Sequence, residues 1–317
     1  MRERVQIQEV GLRDGLQSIA TVMPTDAKKR WIRAAYEAGL RHIEVTSFVP
    51  PRLLPQLADA AEIVEYALQF DELTVTALVP NLKGAENALR AGVHRVVAPI
   101  SVSTQHSLAN VRRTPMEMVE EFARIRDLID QERSETVLIA GLSTVFGCTL
   151  QGHVPLDDVC HVVQGCLAAG ADTIALADTT GHATPAQVQE TIVGVRSVAG
   201  ERLRSLHFHD TRGMGLANTL IALQQGIREF DASLAGIGGC PHAPGATGNV
   251  VTEDLVFMLE SMGYDTGISV EKLLACRQIL TQSLPEEPLY GFINRAGLPN
   301  TFSTHQTTFS PQQSTLS

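Results

Sequence analysis

Eight short apolar or alternating runs recur along the chain, and the segments between them have the spacing of amphipathic helices. The runs predict strands at residues 5–10, 42–48, 74–79, 95–100, 136–142, 173–177, 205–209 and 230–236. Helical patterns such as DAKKRWIRAAYEA and PMEMVEEFARIRDLID lie between them. Strands that alternate with helices form parallel sheets, and eight such units close into a barrel. The sequence therefore predicts an α/β protein with a (β/α)8 TIM barrel.

A repeated glycine supports this interpretation. AGLRHIEV, AGVHRVVA, AGADTIAL and QGIREFDA each place a glycine at a helix end, just before a strand; these are Gly39, Gly92, Gly170 and Gly226. A glycine at this position commonly ends a helix in the left-handed conformation. An open doubly wound sheet is the alternative, but no G-x-G-x-x-G follows the first strand, which disfavours its dinucleotide-binding version.

The pattern changes after about residue 270. SVEKLLACRQILTQSL predicts a closing helix, and the chain from Pro285 onward is rich in Pro, Ser, Thr and Gln. Such a composition favours a loosely packed or disordered segment. We therefore expect a barrel domain over residues 1–275 and a C-terminal helical extension with a flexible tail over residues 276–317.

Charge and cysteine content limit the partners and the compartment. The 317 residues carry a net charge of −10, with no block of five like charges, which argues against nucleic-acid binding but allows an anionic small molecule. The five cysteines form no C-x-x-C pair, which indicates free thiols in a reducing compartment. No apolar leader and no run of 18 apolar residues is present, so we expect a cytoplasmic protein without a membrane partner.

Polar residues follow the predicted strands at the edge where a barrel places its active site. The active site of such barrels lies at the carboxyl ends of the strands. Arg13, Asp14 and Gln17 follow strand one, Glu44 lies late in strand two, and Asp178 follows strand six. We expect Arg13, Gln17 and Asp178 to contact the substrate.

Two histidines at the end of strand seven indicate a metal site. His207 and His209 are two residues apart, so both side chains point to the same face of a strand. Asp14 could add a carboxylate oxygen and Asn249 an amide oxygen. A mixed nitrogen and oxygen set without thiolate suits Mg²⁺ or Mn²⁺ better than structural Zn²⁺. The alternative is that the histidines are structural and that Asp14 caps a turn.

Arg13 and Cys240 are candidates for the chemistry itself. An arginine holds an oxyanion through paired donors, although a surface ion pair is the simpler interpretation of Arg13. Cys240 lies in the glycine-rich stretch GIGGCPHAPGATGN after strand eight. A thiol on such a loop could donate a proton once the loop closes, or it could be an incidental residue of a flexible turn.

Several segments together resemble one known family. EVGLRDGLQ, IEVTSF, VPNLKG, LADTTG, HFHDTRGMGLANTL and SLAGIGGCPHAPGATGNVVTEDLVFML are similar to segments of the hydroxymethylglutaryl-CoA lyases, barrel metalloenzymes of the group that makes or breaks Claisen-type bonds. The resemblance runs from about residue 5 to residue 275. The GGCP loop, with its following GN and TEDL, is typical of the lyases, since the related synthases lack the loop cysteine.

The resemblance implies a function for each candidate. It implies a divalent cation, Mg²⁺ or Mn²⁺, held by Asp14, His207, His209 and Asn249. It implies that Arg13 stabilises the enolate of the departing acetyl-CoA, that Cys240 protonates this enolate, and that Glu44 assists near the metal. Asp14 and a histidine near the metal both stay open as the base. A homodimer or larger homo-oligomer is also implied.

The sequence departs from the family in the expected acyl pocket. Gly141 stands where these lyases usually carry a tyrosine, Ala175 replaces a serine, and SVSTQHSLANVRRT differs from the usual loop after strand four. We expect a larger and less polar pocket. The main hypothesis is cleavage of 3-hydroxy-3-methylglutaryl-CoA, and the alternative is another 3-hydroxyacyl-CoA, such as citramalyl-CoA or a longer 3-hydroxy-3-alkyl acid. A non-catalytic binding barrel is a more distant alternative.

Overall fold

A closed parallel barrel forms the centre of the protein. The computed structural model describes residues 2–238 and 248–302. Its strands are β1 (Gln6–Glu9), β2 (His42–Ser47), β3 (Thr74–Leu78), β4 (Arg95–Ser101), β5 (Val137–Ser143), β6 (Thr173–Asp178), β7 (Leu203–Phe208) and β8 (Glu229–Ala232). Each strand pairs in parallel with the next, and β8 pairs with β1. The predicted (β/α)8 barrel is confirmed.

The last strand is shorter than predicted. β8 ends at Ala232, whereas the sequence pattern placed its end at residue 236. Residues Leu234–Gly236 form a 3₁₀ turn instead, in which Ala235 has a φ of 59°. This left-handed conformation is incompatible with an extended strand. The Ala235 N–H donates to the Glu253 carboxylate rather than to a neighbouring strand.

Helices follow or precede every strand of the barrel in the described residues. They are α1 (Thr25–Glu37), α2 (Ala60–Ala67), α3 (Leu82–Ala91), α4 (Thr104–Val111), α5 (Pro115–Gln131), α6 (Leu156–Ala168), α7 (Pro185–Ala199), α8 (Gly215–Gln224), α9 (Thr252–Ser261), α10 (Val270–Ser283) and α11 (Ile293–Ala296). The sequence pattern did not single out α4 and α9. None of these described helices is long and apolar enough to span a membrane.

The repeated glycines end helices as predicted. Gly39, Gly92, Gly170 and Gly226 have φ values of 108°, 84°, 87° and 85°. L-residues with a Cβ rarely adopt this conformation, whereas glycine adopts it readily. The four glycines therefore turn the chain from a helix into β2, β4, β6 and β8.

The C-terminal segment packs against the barrel. α10 lies against α1, so the domain boundary that we placed after residue 275 falls inside a packed helix. Within the predicted tail, the described residues 285–302 make some specific contacts with the rest of the chain. The Tyr290 N–H donates to the Ala235 carbonyl at 2.8 Å, and the ring of Phe302 lies 5.0 Å from that of Phe257. Residues 303–317 lie outside the described residues.

Candidate active site

A tight turn after β1 places two charged residues at the mouth of the barrel. Residues Gly11–Gly15 form one turn of π-helix, in which the N–H groups of Arg13 and Asp14 donate to the Val10 carbonyl at 3.1 and 2.7 Å. A Cβ at Gly11 would lie 2.7 Å from the Trp31 ring, so this close approach requires glycine. The turn buries Arg13 and Asp14 side by side.

Arg13 lies between two carboxylates. Its Nη1 donates to Asp14 Oδ1 at 2.7 Å, and its Nη2 lies 2.8 Å from Glu44 Oε2. Burial alone would lower the pKa of Arg13. The negative charges of Glu44 and Asp14 outweigh this effect and hold the pKa above its usual range. Arg13 is therefore a permanent, oriented cation at the cavity and not a loose surface ion pair.

Asp14 and the two histidines converge as the sequence predicted. Asp14 Oδ2 lies 4.0 Å from His207 Nε2 and 3.6 Å from His209 Nε2. Each of the three residues offers a ligand atom, and these atoms lie within 4.8 Å of one another. Burial acts to raise the pKa of Asp14, but Arg13 and the histidines hold it well below its usual range. Asp14 is therefore negatively charged at the place where a metal cation would bind.

Asn249 joins this group through its amide. Its Nδ2 donates to Asp14 Oδ2 at 2.7 Å and to the Ile237 carbonyl at 3.2 Å. Its Oδ1 is buried and has no hydrogen-bond partner among the described residues. A buried oxygen without a partner is costly unless something binds it. Two imidazoles, a carboxylate and a free amide oxygen fit a divalent cation that accepts mixed nitrogen and oxygen ligands.

Asp231 is a site residue that the sequence analysis missed. His207 Nδ1 lies 3.1 Å from Asp231 Oδ2, and Gln8 Nε2 donates to Asp231 Oδ1 at 3.1 Å. Burial alone would lower the pKa of His207, but the hydrogen bond to Asp231 and the charge of Asp14 raise it. A carboxylate on one imidazole nitrogen orients the other nitrogen toward a metal. The sequence shows an acidic residue within predicted strand eight, but only the observed register, which pairs Asp231 with His207, brings it to the site.

Glu44 and Gln17 lie at the cavity, whereas Asp178 does not. Glu44 is buried at the cavity wall, and its Oε1 has no hydrogen-bond partner within residues 2–238 and 248–302. Gln17 Nε2 donates to Asp14 Oδ1 at 3.3 Å. Asp178 instead accepts the N–H groups of His182 and Ala183 at 2.8 and 3.0 Å, which stabilises the turn before α7. The structure therefore gives Asp178 a backbone-holding position rather than the predicted contact with the cavity.

Cys240 lies outside the described residues, which stop at Gly238 and resume at Gly248. The four cysteines within the described part are free, and Cys148, Cys166 and Cys276 are buried. Burial raises the pKa of Cys166 to about 12. A thiol with such a pKa is an unreactive packing residue.

The cavity in front of these groups has two different sides. It has a volume of about 690 Å³. Strands β4–β6 contribute both apolar or small residues and polar residues to its wall: Val97, Ile139, Gly141 and Ala175, and Arg95, Ser101 and Ser143. A Cβ at Gly141 would lie 2.8 Å from Val97 Cγ1, so Val97 already packs against the backbone of β5. Gly141 and Ala175 thus contribute no polar side chain to the cavity wall.

A polar cluster lies on this side of the cavity, near its mouth. Ser101 Oγ lies 2.7 Å from His106 Nδ1 and 3.0 Å from Ser143 Oγ, and all three residues line the cavity. The sequence analysis did not identify this cluster. It depends on α4, which brings His106 back over the ends of β4 and β5.

An aspartate, two histidines and an asparagine lie beside a buried arginine at the mouth of a (β/α)8 barrel. This arrangement defines the protein as a candidate barrel metalloenzyme. The family model described as HMGL-like matches residues 4–280. The chain belongs to this family.

Named relatives and solved structures agree with this assignment. The chain is 38% identical over 282 residues to hydroxymethylglutaryl-CoA lyase YngG of Bacillus subtilis, which covers 89% of this chain and 94% of the relative. It is 38% identical to the human mitochondrial hydroxymethylglutaryl-CoA lyase over 89% of this chain and 86% of that protein. A crystal structure of the Bacillus subtilis HMG-CoA lyase superposes with a TM-score of 0.88 at 37% identity, covering 92% of this chain and 97% of that one. An Acinetobacter baumannii HMG-CoA lyase solved with coenzyme A and 3-methylmalate gives a TM-score of 0.87 at 38% identity, covering 95% and 97%.

Proposed function

We propose that this protein is a divalent-metal-dependent carbon–carbon lyase that cleaves (S)-3-hydroxy-3-methylglutaryl-CoA to acetoacetate and acetyl-CoA. The observation that carries the proposal is the convergence of Asp14, His207, His209 and Asn249 beside Arg13 in a chain of the HMGL-like family. The named relatives are lyases for this substrate. The Acinetobacter baumannii structure holds coenzyme A, which supports an acyl-CoA ligand.

The metal site in this proposal consists of Asp14, His207, His209 and Asn249. A bound Mg²⁺ or Mn²⁺ would supply Lewis-acid polarisation of the substrate's 3-hydroxyl and carboxylate oxygens. Asp231 keeps the Nε2 of His207 available, because it occupies the Nδ1 side of the ring.

The chain's own residues then move protons and hold charge. A base, either Asp14 or a neighbouring histidine, takes the proton of the 3-hydroxyl, whose oxygen becomes the ketone of acetoacetate. The C2–C3 bond breaks, and its electron pair passes to the thioester as an enolate. Arg13 stabilises the enolate oxygen, and Glu44 fixes the guanidinium from the other side. The Cys240 thiol gives its proton to C2, which yields acetyl-CoA.

A lyase for another 3-hydroxyacyl-CoA is the second candidate, because Gly141 and Ala175 leave two positions of the cavity wall without a polar side chain. Two substituents of C3, the hydroxyl and the carboxylate arm, would lie at the metal site. A third substituent leads to the thioester. The fourth substituent must face away from the metal ligands. On the β4–β6 side it meets Gly141 and Ala175, which carry no polar group. Wall positions that carry no hydrogen-bonding group discriminate weakly between alkyl groups of similar size.

A cleavage assay with a panel of 3-hydroxyacyl-CoAs separates the candidates. The panel contains 3-hydroxy-3-methylglutaryl-CoA, citramalyl-CoA and a 3-ethyl analogue, and mass spectrometry identifies each keto product. We expect the highest kcat/KM with 3-hydroxy-3-methylglutaryl-CoA and acetoacetate as its product. A clear preference for another member, with pyruvate or a longer keto acid as product, would favour the second candidate. Binding without cleavage of any member would favour the non-catalytic barrel.

The assembly and the location belong to the same proposal. We expect a homodimer or larger homo-oligomer, which light scattering of the purified protein measures directly. We also expect a cytoplasmic protein, which cell fractionation with detection of the native chain tests.

A further inference from the structure

The turn that leads into the residue-239–247 segment is clamped from two sides. Its central residue, Ala235, has a left-handed backbone, and both of its backbone groups are held. The Ala235 N–H donates to Glu253 Oε2 at 3.0 Å, and its carbonyl accepts the Tyr290 N–H at 2.8 Å. Glu253 comes from α9, and Tyr290 comes from the segment after α10.

One buried arginine connects these two clamps. Arg277 Nη1 donates to Glu253 Oε1 at 3.0 Å and also to the Tyr290 carbonyl. Both Arg277 and Glu253 are buried, with side-chain exposures of 7% and 1%. A single guanidinium therefore fixes the positions of both groups that hold Ala235.

The clamped turn in turn orients a candidate metal ligand. Two residues after Ala235, the Ile237 carbonyl accepts Nδ2 of Asn249 at 3.2 Å. The backbones are in close contact here, since a Cβ at Gly248 would lie 1.9 Å from the Gly236 carbonyl oxygen. The amide of Asn249 therefore points its unpartnered Oδ1 in a direction set by the position of Ile237.

We propose that Arg277, with the backbone of Tyr290, is a positioning residue that fixes the amide of Asn249 for a divalent cation. The C-terminal segment thereby tunes the affinity of the metal site without touching it. This inference rests on the proposed function, because Asn249 acts as a ligand only if the site binds a metal. Partners of metal ligands typically change metal affinity by about 10–100-fold, and a more remote clamp should act at the lower end.

Binding of Mn²⁺ alone to the full-length protein tests the proposal without any activity measurement. Free Mn²⁺ is quantified by electron paramagnetic resonance as the protein is titrated, well below the unfolding temperature. We expect Arg277→Met to weaken Mn²⁺ binding about tenfold. Arg277→Lys should restore most of the affinity, because an ammonium can donate to both Glu253 and the Tyr290 carbonyl.

A backbone pair of variants tests the second clamp independently. Tyr290→Pro removes the N–H that holds the Ala235 carbonyl, whereas Tyr290→Ala keeps it. We expect weaker Mn²⁺ binding for Tyr290→Pro and unchanged binding for Tyr290→Ala. This pair decides the question if Arg277→Met does not fold.

Lys28→Met is the matched control for a general loss of stability. Lys28 is also a buried cation, and its Nζ donates to a carboxylate and a carbonyl, Asp59 Oδ1 and the Gln56 oxygen, both at 2.6 Å. Lys28→Met should lower the Tm and leave Mn²⁺ affinity unchanged. Equal loss of affinity in the Lys28 and Arg277 variants, or no loss in Arg277→Met and Tyr290→Pro, would overturn the positioning role. Wild-type protein that binds no Mn²⁺ would instead overturn the proposed metal site itself.

Discussion

Arg13 and Asp14 are neighbours in one buried turn, yet the structure gives them different surroundings. Arg13 faces Glu44 across the cavity mouth, and Asp14 faces the two histidines and Asn249. Each residue of the pair neutralises part of the other's charge, which makes it possible to bury both. The turn thus places Arg13, the candidate anion-binding residue, directly before Asp14, the candidate metal ligand.

Cys240→Ala tests the proposed acid. Loss of a positioned general acid typically costs about 10²–10⁴-fold in rate, so we expect kcat to fall by at least about 100-fold. The thermal unfolding curve should stay close to that of the wild type, and the kcat at saturating substrate is the measurement. A variant with wild-type turnover would show that another group protonates the enolate.

Asp231→Asn tests the carboxylate behind His207. The substitution keeps the shape of the side chain but removes the charge that holds the Nδ1 proton. We expect about 10–100-fold weaker Mn²⁺ binding, measured by calorimetry. Unchanged affinity, with the protein still folded, would contradict the orienting role of Asp231.

The helix-ending glycines look equivalent in sequence but differ in their packing. A Cβ at Gly39 would lie 2.1 Å from the Gly267 carbonyl oxygen, whereas the nearest atom to a Cβ at Gly92 is Leu68 Cδ1 at 3.5 Å. Both residues have a positive φ. A side chain at position 39 is therefore disfavoured both by the positive φ and by a clash with the Gly267 carbonyl.

A pair of alanine substitutions separates these two effects. Gly92→Ala should reduce the free energy of unfolding by about 1–2 kcal/mol, because only the left-handed backbone is penalised. Gly39→Ala should cost at least about 2 kcal/mol more, since the backbone of α1 or of the Gly267 turn must shift. Denaturant unfolding of both variants measures the difference, and equal losses would contradict the packing argument.

Glu9 ties three elements together at the base of the site. Its Oε1 accepts the N–H groups of Gly11 and Leu234, and its Oε2 accepts the Thr252 hydroxyl. Burial raises the pKa of Glu9 from 4.5 to about 7, because these hydrogen bonds offset the lost hydration only in part. The folded protein therefore holds this proton at a pH where the unfolded chain has released it.

The contribution of Glu9 to the stability of the fold should decrease as the pH rises. Since the folded pKa is the higher one, the stabilisation is complete below pH 4.5 and is lost as the pH rises to about 7. Relative to Glu9→Gln, the wild type should lose about 3 kcal/mol across this window. Melting curves of both proteins over this pH range provide the test. A Tm difference that stays constant, or that grows in favour of the wild type, would contradict the shifted pKa.

Several features of the whole barrel could be predicted from the sequence. The order of strands and the helix-ending glycines follow local rules of periodicity and spacing, and the structure places them where those rules predict. The predicted convergence of Asp14 with His207 and His209 is also observed, and it forms a candidate metal site. The inward direction of His207 and His209 likewise follows from their spacing on one strand.

The features that the sequence analysis missed depend on contacts that the local pattern does not specify. Asp231 became a site residue only through the β7–β8 register, and Asp178 turned toward its own following backbone, a choice that its position at the end of β6 did not reveal. The length of β8 was overestimated because Glu253, 18 residues further along the chain, accepts the Ala235 N–H.

The most direct test of the account is the conversion of (S)-3-hydroxy-3-methylglutaryl-CoA by metal-stripped protein before and after Mn²⁺ is added. The account predicts no product before addition, and equal amounts of acetoacetate and acetyl-CoA by mass spectrometry after it. Full conversion in excess chelator, with the absence of metal verified, or no conversion in the presence of Mn²⁺, would contradict it.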